Sequence, residues 1–458
     1  MLSNEDSKGL IYVMTSQGGE YADLFIENTN VKVLHLNNGN LVHVEDRVVN
    51  GIGYRLIKNG ITHYAFTNKF EKDHLRKIAY DIALVGSFHS EPIAADFGSI
   101  NQQDHLEQDF DFISLKKRID CLKKLDKLIR DYYQMGSISL IIKFEEKEKN
   151  IKIVNCEDKV IRDQRNGIFI IVEATSSNQG RNYKTKVRRA FKNFTNLNNE
   201  RVLKNLALAV VNRLTYVIKG VTCPQVEMPV VIGGEGGVLI HEACGHALEA
   251  DLIQMGYKVF HNKLGEKVAS DLVTIIDDGT LEGSIISSNY DDEGTKTRKN
   301  VLIKKGILQK YLTCRQTAKN LDMSLTGNGR RENFQYLPTP RMTNTYLQPN
   351  PDISPEEIIQ SVKEGIYISA LGTGNVNGMT GDFSFEVIEA FLIVDGKIFV
   401  PLKNMVIVGN SKDILQKIDM VGNDLNFTYG ICNKFDRVLV SAGIPTLRIS
   451  KIKVGGWK

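Results

Sequence analysis

No stretch of this chain approaches the ~18 consecutive apolar residues that a membrane-spanning helix requires. The opening segment, MLSNEDSKGLIYV, also lacks the basic start and apolar core of a secretory signal, so a cytoplasmic protein is expected. Cysteine is scarce and shows no paired spacing. The six residues Cys121, Cys156, Cys223, Cys244, Cys314 and Cys432 form no disulfide framework, and their thiols are expected to be reduced and free to meet a metal. Charge of one sign is equally short: 58 Lys and Arg against 54 Asp and Glu leave a net +4, too little for a global field that would gather nucleic acid or an anionic membrane. Internal repeats and low-complexity segments are missing too.

What is present is an ordinary globular composition, 42% hydrophobic and 24% charged. A length of 458 residues exceeds one ordinary core, and two domains are expected. The first half mixes elements. ADLFIEN, GIGYRLIKNGITHYAFTN and SISLIIKFEEKEKNIKIVNCE read as strands and hairpins. Leu115 to Tyr133 reads as a helix with Leu115, Ile119, Leu122 and Ile129 on its apolar stripe and Lys116, Lys117, Lys123, Lys124 and Lys127 in solvent. A second helix spans Glu200 to Ile218 and leads through GVTCPQ to a strand, MPVVIGG, which sets the boundary between domains 1-220 and 221-458 near Gly220. Beyond it the pattern turns β-rich: VLIKKGILQKYL and FLIVDGKIFV are hairpins, the second with Asp395-Gly396 suited to a tight primed turn, and TLRISKIKVGGWK reads as a closing strand. The expected class is α+β, a mixed α/β N-terminal domain followed by a β-rich C-terminal domain carrying a metal-site helix.

The chemistry concentrates in GGEGGVLIHEACGHALEAD, from Gly233 to Asp251, read as a strand, a glycine-rich turn and a helix. His241 and Glu242 set a metal ligand and a base side by side, which suits a catalytic zinc with three protein ligands and an open position for water. Familiar HExxH helices space their histidines four apart. Here His241 and His246 are five apart, ~140° out of register on an ideal helix. Widening toward i to i+5 bonding would shrink the mismatch, and Gly245 tolerates the unusual backbone this asks for. Glu249 and Asp251 follow as carboxylates that could orient a ligating imidazole, or simply meet solvent. Cys244 reads as a small buried hydrophobe, and spacing does not choose a third ligand among the other cysteines.

HEACGHALEAD resembles the signature of the TldD/PmbA family of metallopeptidases, in the TldD type that keeps HExxxH. The likeness runs on through KLGEKVASDLVTIIDDGT, NYDDEGTKTRKNVLIKKGIL, TGNGRRENFQYLPTPRMTNTYL, GMTGDFSFEVIEAFLIVDGKI and YGICNKFDRVLVSAGIPTLRISKIKVGG, with looser matches in GEYADLFIEN and GIGYRLIKNG. The resemblance implies zinc held by His241, His246 and Cys432, with Glu242 as the catalytic base. It further implies hydrolysis of unfolded or extended peptides, and a homodimer or a heterodimer with a metal-less paralogue. Arg330, Arg331, Arg341 and Asn344 lie in the similar segments and could line the cleft or serve structural bonds.

Rival readings are weaker. GGEGG before a helix could cradle phosphate, but it lacks GK[ST] and Glu235 would repel the anion. GTGNVNG, from Gly372, reads as a loop. The basic run RNYKTKVRRAFKNF, with Tyr183, Phe191 and Phe194 interleaved, suggests nucleic acid but reads better as a solvated face. The alternatives to a peptidase are therefore a metal-binding scaffold subunit or a nucleic-acid-associated modulator without peptidase activity.

Overall fold

Alternating apolar residues make the first half a single antiparallel sheet in the computed structural model, which describes residues 2–85, 113–178 and 180–456. Its strands are β1 (Tyr21–Asn37), β2 (Asn40–Lys58), β3 (Ile61–Thr67), β4 (Ile138–Asn155), β5 (Val160–Asn178) and β6 (Arg181–Phe191), in the order β3-β2-β1-β4-β5-β6. The SISLIIKFEEKEKNIKIVNCE segment is one strand, not a hairpin: its charged centre stays paired to both β1 and β5. Helices Asn4–Thr15 and Lys72–Val85 cover one end of the sheet through Leu10, Met14, Leu75 and Ala79. Helices Leu115–Tyr132 and Glu200–Lys219 cover the other. The first of these buries Arg118, Cys121, Leu122, Leu125, Asp126 and Ile129, so its stripe is rotated from the expected one and Leu115 is exposed. An ion pair between Arg118 and Glu146 lets the arginine sit in the buried stripe.

The C-terminal half holds two β structures. Strands Glu364–Val376, Val226–Glu235, Leu447–Gly456, Met405–Asn410 and Asp382–Val394 pair successively, and the last returns to the first, so the ring closes into a small barrel without free edges. GTGNVNG is not a loop: most of it lies in Glu364–Val376, where register shifts bend the strand and Gly374 lies against the Phe385 ring. Asp395 and Gly396 both take positive φ, 46° and 71°, as the primed turn requires. A second sheet runs in the order Ile307–Leu308, Lys299–Lys304, Ile275–Asp278, Asn344–Leu347, Arg437–Ile444, Asn426–Asn433. The glycine-rich turn and the histidine segment are packed between barrel and sheet. Leu239, Ile240, Cys244 and Leu248 share one core with Val230, Ile232, Ile368 and Ile449 of the barrel and Ile275, Leu347 and Ile444 of the sheet.

The two halves are bolted together by buried charge. Arg55 joins Asp23 and Glu293, and Arg165 meets Asp292 at 2.6 Å. Glu235 of the glycine-rich turn accepts Arg213 at 3.0 Å and Arg189 at 2.8 Å. These guanidiniums outweigh burial and hold its carboxyl below the usual range, so GGEGG is a structural junction rather than an anion cradle. The basic run is the edge strand β6, and part of its charge is already used: Lys186 pairs with Glu173 at 3.0 Å and Arg189 with Glu235. Among the described residues no helix is long and apolar enough to cross a membrane.

Candidate metal centre

The strand Val226–Glu235 turns through glycines that let backbones meet: a methyl on Gly237 would overlap the carbonyl of Ala442. A short α-turn, Val238–Ile240, then widens to a π-turn over His241–Gly245, followed by a 3₁₀ turn, His246–Leu248. The amide of His246 bonds the carbonyl of His241, the i to i+5 pattern that five-residue spacing asks for. Both rings now lie on one side, centroids 4.9 Å apart and 76° between planes. Gly245 keeps an ordinary right-handed φ of −58°, so its backbone freedom is not what the turn uses. A methyl there would overlap Met342 Sδ, so a larger residue would have to push that side chain aside.

The edge strand Asn426–Asn433 brings Cys432 to the same place, with Sγ 3.3 Å from His246 Nε2. One ligand atom each from His241, His246 and Cys432 lie within 4.8 Å of one another. This group could hold a metal ion. Both ring nitrogens of His241 are buried and without a hydrogen-bond partner among the described residues. Leaving such atoms unsatisfied costs ~1–3 kcal/mol, and a metal is the kind of partner that relieves it. Two imidazoles and one thiolate suit zinc in particular.

Electrostatics prepare the donors. Burial alone would push the Cys432 thiol up, but His241 and His246 outweigh it and hold it down at about 5. Burial opposes charge on His246, while Glu249 and Cys432 outweigh that and raise its imidazole well above the ordinary range. Glu249 Oε2 lies 2.8 Å from His246 Nδ1, which leaves Nε2 facing the thiol. Asp251 does not reach the ring; it accepts from Lys434 Nζ at 2.8 Å. Cys244 is buried, donates to the carbonyl of Ile240 at 2.9 Å and is pushed up to about 12 by burial, so it is no ligand. Glu242 stands at the open side, its side chain 33% exposed and Oε2 3.9 Å from His246 Nε2.

Lys434, which the sequence did not single out, and Arg341, which it did, frame the site. Lys434, two positions after Cys432, bonds Glu249 at 3.2 Å, Asp251 and the carbonyl of Pro340 at 2.7 Å. Arg341 pairs with Asp436 and donates to the carbonyl of Cys432 at 2.8 Å. Arg341 and Asn344 are thus structural, the latter donating to the carbonyl of Asp278 at 2.7 Å, whereas Arg330 and Arg331 line a cavity. The only sequence signal for Lys434 was its nearness to Cys432. Lys434→Met is expected to weaken metal binding about 10- to 100-fold while the metal-saturated protein keeps its turnover. A chelator-competition titration measures this, and unchanged affinity would remove Lys434 from the positioning network.

The PmbA/TldA metallopeptidase C-terminal domain model matches residues 225–456, half of the chain. A TldD-homologue metalloprotease of Buchnera aphidicola (Schizaphis graminum) is 31% identical over 455 residues, 95% of this chain and 93% of that protein. The chain belongs to the TldD/PmbA family of metallopeptidases. A zinc metalloprotease TldD homologue from Saccharolobus solfataricus is 34% identical over 262 residues, 56% of this chain and 57% of that one. In fold, this TldD/PmbA member resembles the crystal structure of TldE from Thermococcus kodakarensis, with TM-score 0.79 at 18% identity, covering 98% of this chain and 100% of that one.

Proposed function

We propose that this chain is a zinc-dependent peptidase acting on extended or unfolded peptides, with His241, His246 and Cys432 as ligands and Glu242 as general base. The convergence of three donor atoms around an otherwise unpartnered, buried imidazole carries the reading. When bound, zinc would act as a Lewis acid, lowering the pKa of a water and polarising a peptide carbonyl. Glu242, beside the donors and open to solvent, takes the proton of the attacking water on its carboxylate and returns it to the leaving amine. Glu249 holds His246 Nδ1, fixing the ring and its tautomer. Asp251 acts one step further out, holding Lys434 against Glu249.

An extended substrate suits the edge strand Asn426–Asn433, which among the described residues pairs on one side only and carries Cys432. Backbone pairing there would bind peptides with little regard to sequence. We further read the chain as two domains meeting near Gly220, working in the cytoplasm as a homodimer or beside a metal-less paralogue.

Removal and return of the ion tests the proposal. The apoprotein should cleave no unstructured reporter peptide, and about one equivalent of zinc should restore cleavage. Metal affinity should rise with pH, because binding requires the Cys432 thiolate and displaces the proton that Glu249 and Cys432 stabilise on His246. Full cleavage by rigorously metal-free protein would end this reading.

A further inference from the structure

On the face of the metal-bearing sheet opposite Cys432 lies a cavity of about 200 Å³, walled on its far side by the N-terminal sheet. Ile431 pairs with Leu439 and Cys432 with Val438, so alternation turns Ile431, Leu439 and Arg437 away from the thiol. Cations line this space, and most have carboxylate partners. Lys147 meets Glu145 at 2.7 Å, Lys149 meets Glu27 at 3.5 Å, and Arg165 meets Asp292 at 2.6 Å.

Two do not. Among the described residues Arg330 donates to the carbonyls of Met342 and Leu439, which uses two of the five N–H donors of a guanidinium. Burial, with Arg165 and Arg341 nearby, pulls it down to about 10, further than Asp292 and Asp277 raise it. Arg437 engages Glu332 through its backbone amide, and its guanidinium has no ion pair or hydrogen bond among the described residues. Both arginines reach the same cavity and flank Leu439. Arg437 is exposed and Arg330 half-buried, and a planar carboxylate matches a guanidinium fork in two bonds.

We propose that this cavity is a carboxylate-binding site, with Arg330 and Arg437 as its donors and the free C-terminus or an acidic side chain of a bound peptide as its ligand. The carboxylate site stands on the unpaired guanidiniums alone; the peptide as its source rests on the peptidase reading above. The site lies across a sheet from the metal centre, so it would retain or select a chain rather than touch the scissile bond.

Direct binding separates these ideas. Full-length Glu242→Gln protein is titrated calorimetrically with an unstructured acidic peptide, with its C-terminally amidated, glutamine-substituted counterpart, and with succinate alone. The acidic peptide should bind at least tenfold more tightly than the neutral one, and Arg437→Gln or Arg330→Lys should cut that preference to about twofold or less. Arginine-dependent succinate binding with no preference between peptides would uphold the carboxylate site and assign it to a free small acid. Equal binding of all three probes by parent and Arg437→Gln, whose exposed side chain is not needed for folding, overturns the proposal. Failure of cleavage or of zinc binding leaves this preference untouched and bears only on the peptidase reading.

Discussion

Glu242→Gln is expected to lower kcat for peptide cleavage by about 10²- to 10⁴-fold while leaving zinc content unchanged. The substitution keeps shape and removes only the proton acceptor. Glu242 supplies none of the three converging donor atoms, and its side chain is open to solvent, so neither metal binding nor packing should suffer. KM should change little, because the carboxylate acts on the water rather than on the resting peptide. Single-turnover cleavage alongside metal analysis separates these quantities. Wild-type kcat in the variant would exclude Glu242 as the base, and loss of zinc would make it a ligand instead.

Cys432→Ser should weaken zinc binding by more than about 100-fold, beyond the range typical of groups that only orient a ligand. The thiol is held at about 5, so near neutral pH it is a thiolate and a strong donor. A serine hydroxyl does not ionise there, and oxygen is a poorer donor than sulfur for this ion. The fold around it should survive. Arg341 grips the backbone carbonyl of Cys432, and the pairing to Val438 is also main-chain, so serine keeps both. Activity lost at limiting zinc and partly recovered at high zinc is the expected signature, with apoprotein melting temperatures close to each other. Retained stoichiometric zinc at nanomolar protein would remove Cys432 from the ligand set.

Much of this architecture could be read beforehand where periodicity is local. The strand in ADLFIEN, the helix beginning at Glu200 and the Asp395-Gly396 turn are each decided by residues near one another in sequence. The widened turn at His241–Gly245 was legible for the same reason: five-residue spacing has few ways to put two rings together. Other features depend on partners distant in sequence. The helix Leu115–Tyr132 turned its face because Glu146 offered Arg118 a buried ion pair, which no helical wheel contains. Gly245 was expected to matter for its backbone, yet it is the Met342 side chain, nearly a hundred positions later in sequence, that a larger residue would have to displace. Glu249 and Asp251 looked equivalent on paper; both meet Lys434, and Glu249 alone of the two also touches the His246 imidazole.

His246 and Cys432 are 186 positions apart, and among the described residues the strand bearing the thiol pairs with one other strand, Arg437–Ile444, which follows it. During synthesis both histidines therefore leave the ribosome long before their sulfur partner can dock. If Cys432 completes the ligand set as proposed, a half-made chain would have no finished metal centre, and metal loading would fall among the last events of maturation.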